Sequence, residues 1–287
     1  MERAREMNLL DSRVVLRVRT MPDVLDLAFR VLFAPGNGKV FGRLSAAMLG
    51  PCFAGCVALR YALKWEWLDI WLVAAILAAL AQGAFTIAAG RLMFQETIPA
   101  REVVGRYLRR LPAYGMALLL ARVMVWGSAL MMFSRTLIPL AITVLLLYFF
   151  LWPRSLFVHE ICLLEGAGPL QVFSRGRRFV LRYYSAALGM LCAGLGAYVA
   201  FVAIFEAMLR FGVTDFVLQL GEPLGNLFKE GGSIFALMGF FAAVPYVAVA
   251  RFLTYIDLRT RKEGWDIQLK FTAIQAADEQ HGKVAAA

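Results

Sequence analysis

Charged residues are spread along this chain in a recurring order. Residues 70–90, 136–153, 183–205 and 231–250 contain no Asp, Glu, Lys or Arg. A run of about 18 or more such residues matches a transmembrane helix, because roughly 20 residues rising 1.5 Å each cross the hydrocarbon. Two further runs are interrupted once each, by Arg60 and by Arg122. The pattern therefore predicts six crossings, at about 44–63, 68–94, 112–133, 136–162, 184–209 and 232–256.

Between these runs, polar and apolar positions alternate with a helical period. Pro99 and Pro169 each open a short amphipathic stretch, proline being well suited to a first helical position. In the first, Val103, Val104, Tyr107, Leu108 and Leu111 share one face and Arg106, Arg109 and Arg110 the other. In the second, Val172, Phe173, Val180 and Tyr183 oppose Ser174, Arg175, Arg178 and Arg182, with Arg177 adjacent. A third such stretch begins at Pro22, where Val24, Leu25, Ala28, Phe29 and Leu32 oppose Asp23, Asp26 and Arg30. The expected architecture is an all-α integral membrane protein. Its six transmembrane helices form three helical hairpins, each preceded by a cytoplasmic amphipathic interfacial helix (about 22–33, 99–111 and 169–182). The three units share one orientation and so read as parallel repeats. A basic segment (1–21) precedes this single membrane domain (22–256); a polar latch (257–275) and a disordered tail (276–287) follow it.

Composition agrees with this pattern. The chain has 287 residues and is 61% hydrophobic, more than an ordinary soluble domain carries. The first 21 residues hold five arginines and no apolar core of signal-peptide length, so the first crossing is expected to remain as an anchor. The net charge of +10 changes meaning once it is placed by side. With the N-terminus in the cytoplasm, 24 Lys and Arg residues fall on the cytoplasmic side and five outside, a strong positive-inside asymmetry. The basic charge thus reads as a topology signal and a contact for anionic lipid, through Arg106, Arg109, Arg110, Arg175, Arg177, Arg178 and Arg182. No nucleic-acid motif accompanies it. Arginine outnumbers lysine 24 to 6, in keeping with a GC-rich bacterial genome.

Candidate chemistry is sparse. His159 and His281 are the two histidines, and His159 beside Glu160 reads as a headgroup-level cap. Cys52, Cys56, Cys162 and Cys192 have no metal spacing, and no GxSxG, HExxH or phosphate-loop pattern occurs. The sequence implies neither an enzyme, a metal nor a cofactor. On the outer side, Trp65, Trp67 and Trp71 are expected to form an aromatic belt, and the stretch after Arg210 a short surface helix.

Two embedded charges remain. Glu206 lies about 33 Å along its helix from Tyr184, near the outer edge, within reach of Arg210 or Arg60. Arg122 lies about 12 Å past Tyr114, where a charge costs at least about 2.5 kcal/mol unless it is sheltered. It either donates, in a small buried polar layer, to Gln82 or to the carbonyls of Ala47 and Phe241, freed by Pro51 and Pro245, or it snorkels to the inner headgroups.

The chain closes with RFLTYIDLRTRKEGWDIQL. Tyr255, Asp257, Leu258, Arg259, Arg261, Glu263, Gly264 and Asp266 resemble the C-terminal YxDLRxRxEGxD signature of a poorly characterised family of bacterial six-helix membrane proteins. That family is similar to the membrane domain fused to some glycerophosphodiester phosphodiesterases. The EGAGP and SRGRR elements at 165–178 resemble the family's internal helix. The resemblance implies a six-crossing cytoplasmic-membrane protein with no established reaction, and the chain has no phosphodiesterase domain. On a continuing helix, Asp257 pairs with Arg261 and Arg259 with Glu263 at i,i+4, before Gly264 ends it.

Short outer connections, few embedded polar groups and a patterned cytoplasmic face point first to a non-enzymatic scaffold or accessory subunit of a larger membrane assembly, with other membrane proteins as partners. The alternative is a transporter or lipid-handling protein with a buried polar layer around Arg122.

Overall fold

The computed structural model of the chain describes residues 19–93, 98–131, 138–151, 155–217 and 224–263. Its helices are α1 (Met21–Phe33), α2 (Asn37–Tyr61), α3 (Trp67–Leu92), α4 (Ala100–Met131), α5 (Ile138–Leu151), α6 (Val158–Leu163), α7 (Pro169–Val180), α8 (Tyr184–Phe205), α9 (Leu227–Glu230) and α10 (Ile234–Glu263). Among the described residues, four helical stretches are long and apolar enough to cross a membrane: Asn37–Tyr61, Trp67–Leu92, Leu181–Gly212 and Ile234–Arg261. Among the described residues the fold is all-helical apart from a two-residue antiparallel pairing of β1 (Gly225–Asn226) with β2 (Gly232–Ser233).

α10 is the hub and packs on α8, α3, α1 and α2. It lies parallel to α3. At one end Trp71 Nε1 donates to the Gly231 carbonyl at 2.9 Å, and further along Gln82 meets Arg251. Close approach to α8 depends on Gly239, where a Cβ would sit 2.6 Å from the Phe201 carbonyl oxygen. Small residues at such crossings let backbones approach and gain dispersion contact, the main attraction between helices in lipid.

The middle of the chain departs from the expected hairpins. The stretches expected as an interfacial helix (99–111) and a crossing (112–133) are joined in one 32-residue helix, α4 (Ala100–Met131), running through Pro112. The cause is a continuous buried stripe. Val103, Tyr107, Tyr114, Leu118 and Ala121 recur at helical spacing on both sides of the proline, and packing of that stripe outweighs one lost backbone hydrogen bond. The crossing expected at 136–162 is broken instead. α5 has 14 residues, about 21 Å, and α6 is a separate six-residue helix. All six α6 residues, Val158 to Leu163, are buried, so its role is to fill the bundle.

Elsewhere the boundaries shift less. α1 buries Val24, Ala28 and Leu32, while Phe29 turns outward. α7 ends at Val180 and passes through a 3₁₀ turn, Leu181–Tyr183, into α8. The fifth crossing, expected to end near 209, continues as a π-helix, Glu206–Val217. α10 extends to Glu263, into the segment read as a latch. The basic segment up to residue 18, the rest of the latch and the tail lie outside the described residues.

Candidate binding cavity and its polar floor

Helical spacing places Ala75, Ala78, Ala79 and Gln82 on one side of α3. α10 presents Phe240, Val247 and Arg251 to the same space, and α8 adds Gly194, Leu195 and Tyr198. Alanine and glycine side chains do not fill the gap between these helices. A partly open cavity of about 270 Å³ remains, with Arg122 of α4 on its wall. Leu195 is 41% exposed, so the mouth opens on the flank of the bundle.

The lining is mostly apolar, with Gln82, Arg122, Tyr198 and Arg251 as its polar members. Gln82 lies ten residues before the α3 C-terminus at Leu92, about 15 Å by helical rise, so it sits within the apolar span. Among the described residues, the lining includes no Ser, Thr, Cys, His, Asp or Glu.

Behind the floor lies a buried polar cluster. Arg251 is 3% exposed. Its Nε donates to Glu160 Oε1 at 2.8 Å and its Nη1 to Gln82 Oε1 at 2.9 Å. Beside them the Tyr114 hydroxyl lies 2.8 Å from the Ala79 carbonyl and 2.7 Å from His159 Nδ1. A carbonyl can only accept, so Tyr114 donates to Ala79 and His159 Nδ1–H donates to the tyrosine oxygen. That tautomer leaves His159 Nε2 as a bare acceptor. His159 Nε2, Glu160 Oε2 and Arg251 Nη2 are all buried without a hydrogen-bond partner among the described residues. Gly83 makes the arrangement possible, since a Cβ there would meet the Tyr114 ring and Leu163 at 2.9 Å.

The sequence expectations for embedded charge are thus redistributed. Gln82 accepts from Arg251 instead of Arg122, while Arg122 shares the cavity wall with both. His159, expected as a headgroup-level cap, is fully buried. Arg251, one of the 24 basic residues that the topology assigns to the cytoplasmic side, stands in the core instead. One sequence signal bears on it: apolar residues at helical spacing, Phe252, Leu253, Ile256 and Leu258, continue past it. Glu206 does pair with Arg210, at 3.3 Å, but as a buried group. It also accepts from Ser233 Oγ and from the Leu227 amide, and so anchors the hairpin around α9. Arg60 reaches Glu230 at 3.5 Å. Trp67, expected in an aromatic belt, is 4% exposed and packs under that hairpin, its Nε1 donating to Glu230.

The arginine-bearing faces meet at the opposite end. Arg91 and Arg106 both bind Glu102, the latter at 3.0 Å, and hydrogen bonding from Arg91 holds that carboxyl below its usual range. Arg110 donates to the Leu163 carbonyl at 2.6 Å, capping α6. Arg178 donates to the Ser174 carbonyl at 3.3 Å, Arg182 stacks on Tyr183, and Arg109 and Arg177 are exposed. The two elements that carried the family resemblance meet here. Glu165 accepts from Tyr255, Arg259 and Arg175. Burial would raise its pKa, but these donors outweigh burial and hold it below the ordinary carboxylate range.

Asp257 and Arg261 form the expected pair at 2.8 Å. They also grip the backbone of Arg19, Asp257 accepting from its amide at 2.9 Å and Arg261 donating to its carbonyl at 2.6 Å. The side chain of Glu263, and Gly264 and Asp266, lie outside the described residues. The four cysteines are free thiols, and no cluster of three His, Cys, Asp or Glu is gathered among the described residues. Against known protein families, curated proteins and solved structures, the chain finds no match.

Proposed function

We propose that the protein is a six-crossing protein of a bacterial inner membrane that takes an amphiphilic molecule from the bilayer into a flank-open cavity, and so handles or transports lipid. The supporting observation is the cavity of about 270 Å³ among α3, α4, α8 and α10, lined mostly by apolar residues with a few polar ones, Gln82, Arg122 and Arg251 among them. Its volume is near the lower limit of ordinary small-molecule pockets, about 300–1,000 Å³. Its lateral mouth gives access from acyl chains. In this reading α4 and α5 complete the six crossings, both chain ends are cytoplasmic, and exposed arginines such as Arg109 and Arg177 rest among anionic headgroups.

The test is purification into nanodiscs without delipidation, followed by native mass spectrometry. Wild type should carry a bound lipid-sized molecule, and Ala78→Phe, which fills the cavity, should lose it while remaining folded. An empty wild-type cavity, or the same occupant in Ala78→Phe, overturns the proposal. A stoichiometric protein partner on an empty protein would favour the accessory-subunit role instead.

A further inference from the structure

We infer that the hairpin from Gly225 to Ser233 is a membrane-interface wedge. It seats Phe228 in the lipid leaflet at the end of the bundle opposite the arginine-bearing faces, where headgroups meet acyl chains. The partner of this surface is the bilayer itself, so the inference rests on the membrane-length helices and not on the cavity. Its starting point is Phe228, which at 79% is the most exposed large hydrophobic side chain among the described residues.

A loose loop could expose a phenylalanine by accident, but this hairpin is firmly built. Asn226 caps α9, its Oδ1 accepting from the amides of Phe228 at 2.9 Å and Lys229 at 3.1 Å. Gly231 ends the turn in the left-handed conformation, φ 77°. The strand pairing sets Gly225 against Ser233 and Asn226 against Gly232, and Glu206 accepts from the Leu227 amide at 3.3 Å. The backbone lies flat on an indole: a Cβ at Gly232 would run into the Trp67 ring, and one at Gly225 would sit 3.0 Å from it. The outward position of Phe228 is therefore imposed by its own backbone, which the cap and the tryptophan hold.

The level of the hairpin selects lipid as the partner. Trp67 opens α3 and Trp71 stands one turn on; their indoles donate to Glu230 at 3.2 Å and to the Gly231 carbonyl at 2.9 Å. The hairpin thus sits beside the start of α3. That helix has 26 residues, about 39 Å, against roughly 30 Å of hydrocarbon, and its charge-free run begins at residue 70. Its first turn accordingly falls at the edge of the acyl region. Arg60 ties the α2–α3 connection to the same unit, meeting Glu230 at 3.5 Å and the Trp65 carbonyl at 3.0 Å. Tyr61, Leu63, Trp65 and Leu68 are exposed there, interleaved with exposed Lys64 and Glu66. Aromatic and apolar groups mixed with charges at a helix end suit the bilayer interface, whereas the centre of a protein-docking patch is depleted of charge.

The test uses the full chain in phosphatidylcholine nanodiscs, with a genetically encoded dansylalanine in place of Phe228. Two quenchers are compared: phosphatidylcholine brominated near the top of its acyl chains, and iodide in the buffer. Brominated lipid should remove most of the fluorescence, and iodide should quench far less than it quenches free dansylalanine in solution. Iodide quenching equal to that of the free amino acid, with no effect of brominated lipid, places position 228 in water and overturns the inference. Protection from both quenchers overturns it too, since protein then covers the tip. Unlabelled wild type supplies a second measurement should the labelled chain fail to fold. Hydroxyl-radical oxidation of Phe228 should be strongly suppressed in nanodiscs; oxidation as fast as that of phenylalanine in a free peptide overturns the inference. Either result leaves the cavity reading to its own test.

Discussion

Removing one member of the Arg251–Glu160 pair should cost more stability than removing both. The two groups are 2.8 Å apart, with side chains 4% and 0% exposed. At an effective dielectric of about 20, a contact at that distance is worth about 6 kcal/mol of attraction. Much of this only offsets the desolvation of two ions, so the net value of the intact pair is small. Truncating one side leaves the other charge buried and uncompensated, at about 3–5 kcal/mol. Arg251→Met and Glu160→Met should each fall in that range. The double variant should lose only about 1–2 kcal/mol, chiefly because Gln82 then lacks its donor. At roughly 2–4 °C per kcal/mol for a chain of this size, each single variant should melt about 10 °C below wild type. The double variant should recover most of that difference. The assay is thermal unfolding in one detergent, with the four proteins arranged as a double-mutant cycle. Losses that simply add, or single variants as stable as wild type, would refute a direct buried pairing.

Three further outcomes follow from the geometry. Gly239→Val should force α8 and α10 apart, since a Cβ there would sit 2.6 Å from the Phe201 carbonyl, costing at least about 1–3 kcal/mol. Gly105→Ala, in open space, should be neutral or stabilising by up to about 1 kcal/mol; equal melting temperatures for the two variants would refute the close approach. Glu165 has its folded pKa lowered by Tyr255, Arg259 and Arg175 against the effect of burial, so its stabilisation is complete above the unfolded value of about 4.3 and is lost as pH falls through the folded value. Melting temperature measured between pH 7 and pH 3 should drop for wild type below about pH 5, and Glu165→Gln should be less stable at pH 7 with a flatter profile; parallel profiles would exclude Glu165. Arg19→Pro deletes the amide that donates to Asp257 at 2.9 Å and should release the N-terminal segment, read as faster maleimide labelling of a cysteine introduced at Thr20 than in the Thr20→Cys parent.

The sequence alone determined the helical class, the membrane-length runs and the amphipathic faces, because hydropathy and helical period are local and additive along the chain. Charge-free residues 183–205 and 231–250 specify apolar helices whatever surrounds them, and Asp257 and Arg261 face each other because one turn of their own helix separates them. Tertiary structure decided what depends on distant partners. Arg251 is followed by a basic, polar stretch in sequence, yet it is buried because Glu160, 91 residues away, and Gln82, 169 residues away, supply acceptors. His159 is buried for the same reason, through Tyr114. Pro112 signals a break, but the buried stripe from Val103 to Ala121 overrides it. The cavity is the least local feature of all: it is the volume left where alanines of α3 and a glycine of α8 face α10 and α4, and no pattern within any one helix encodes a gap between four.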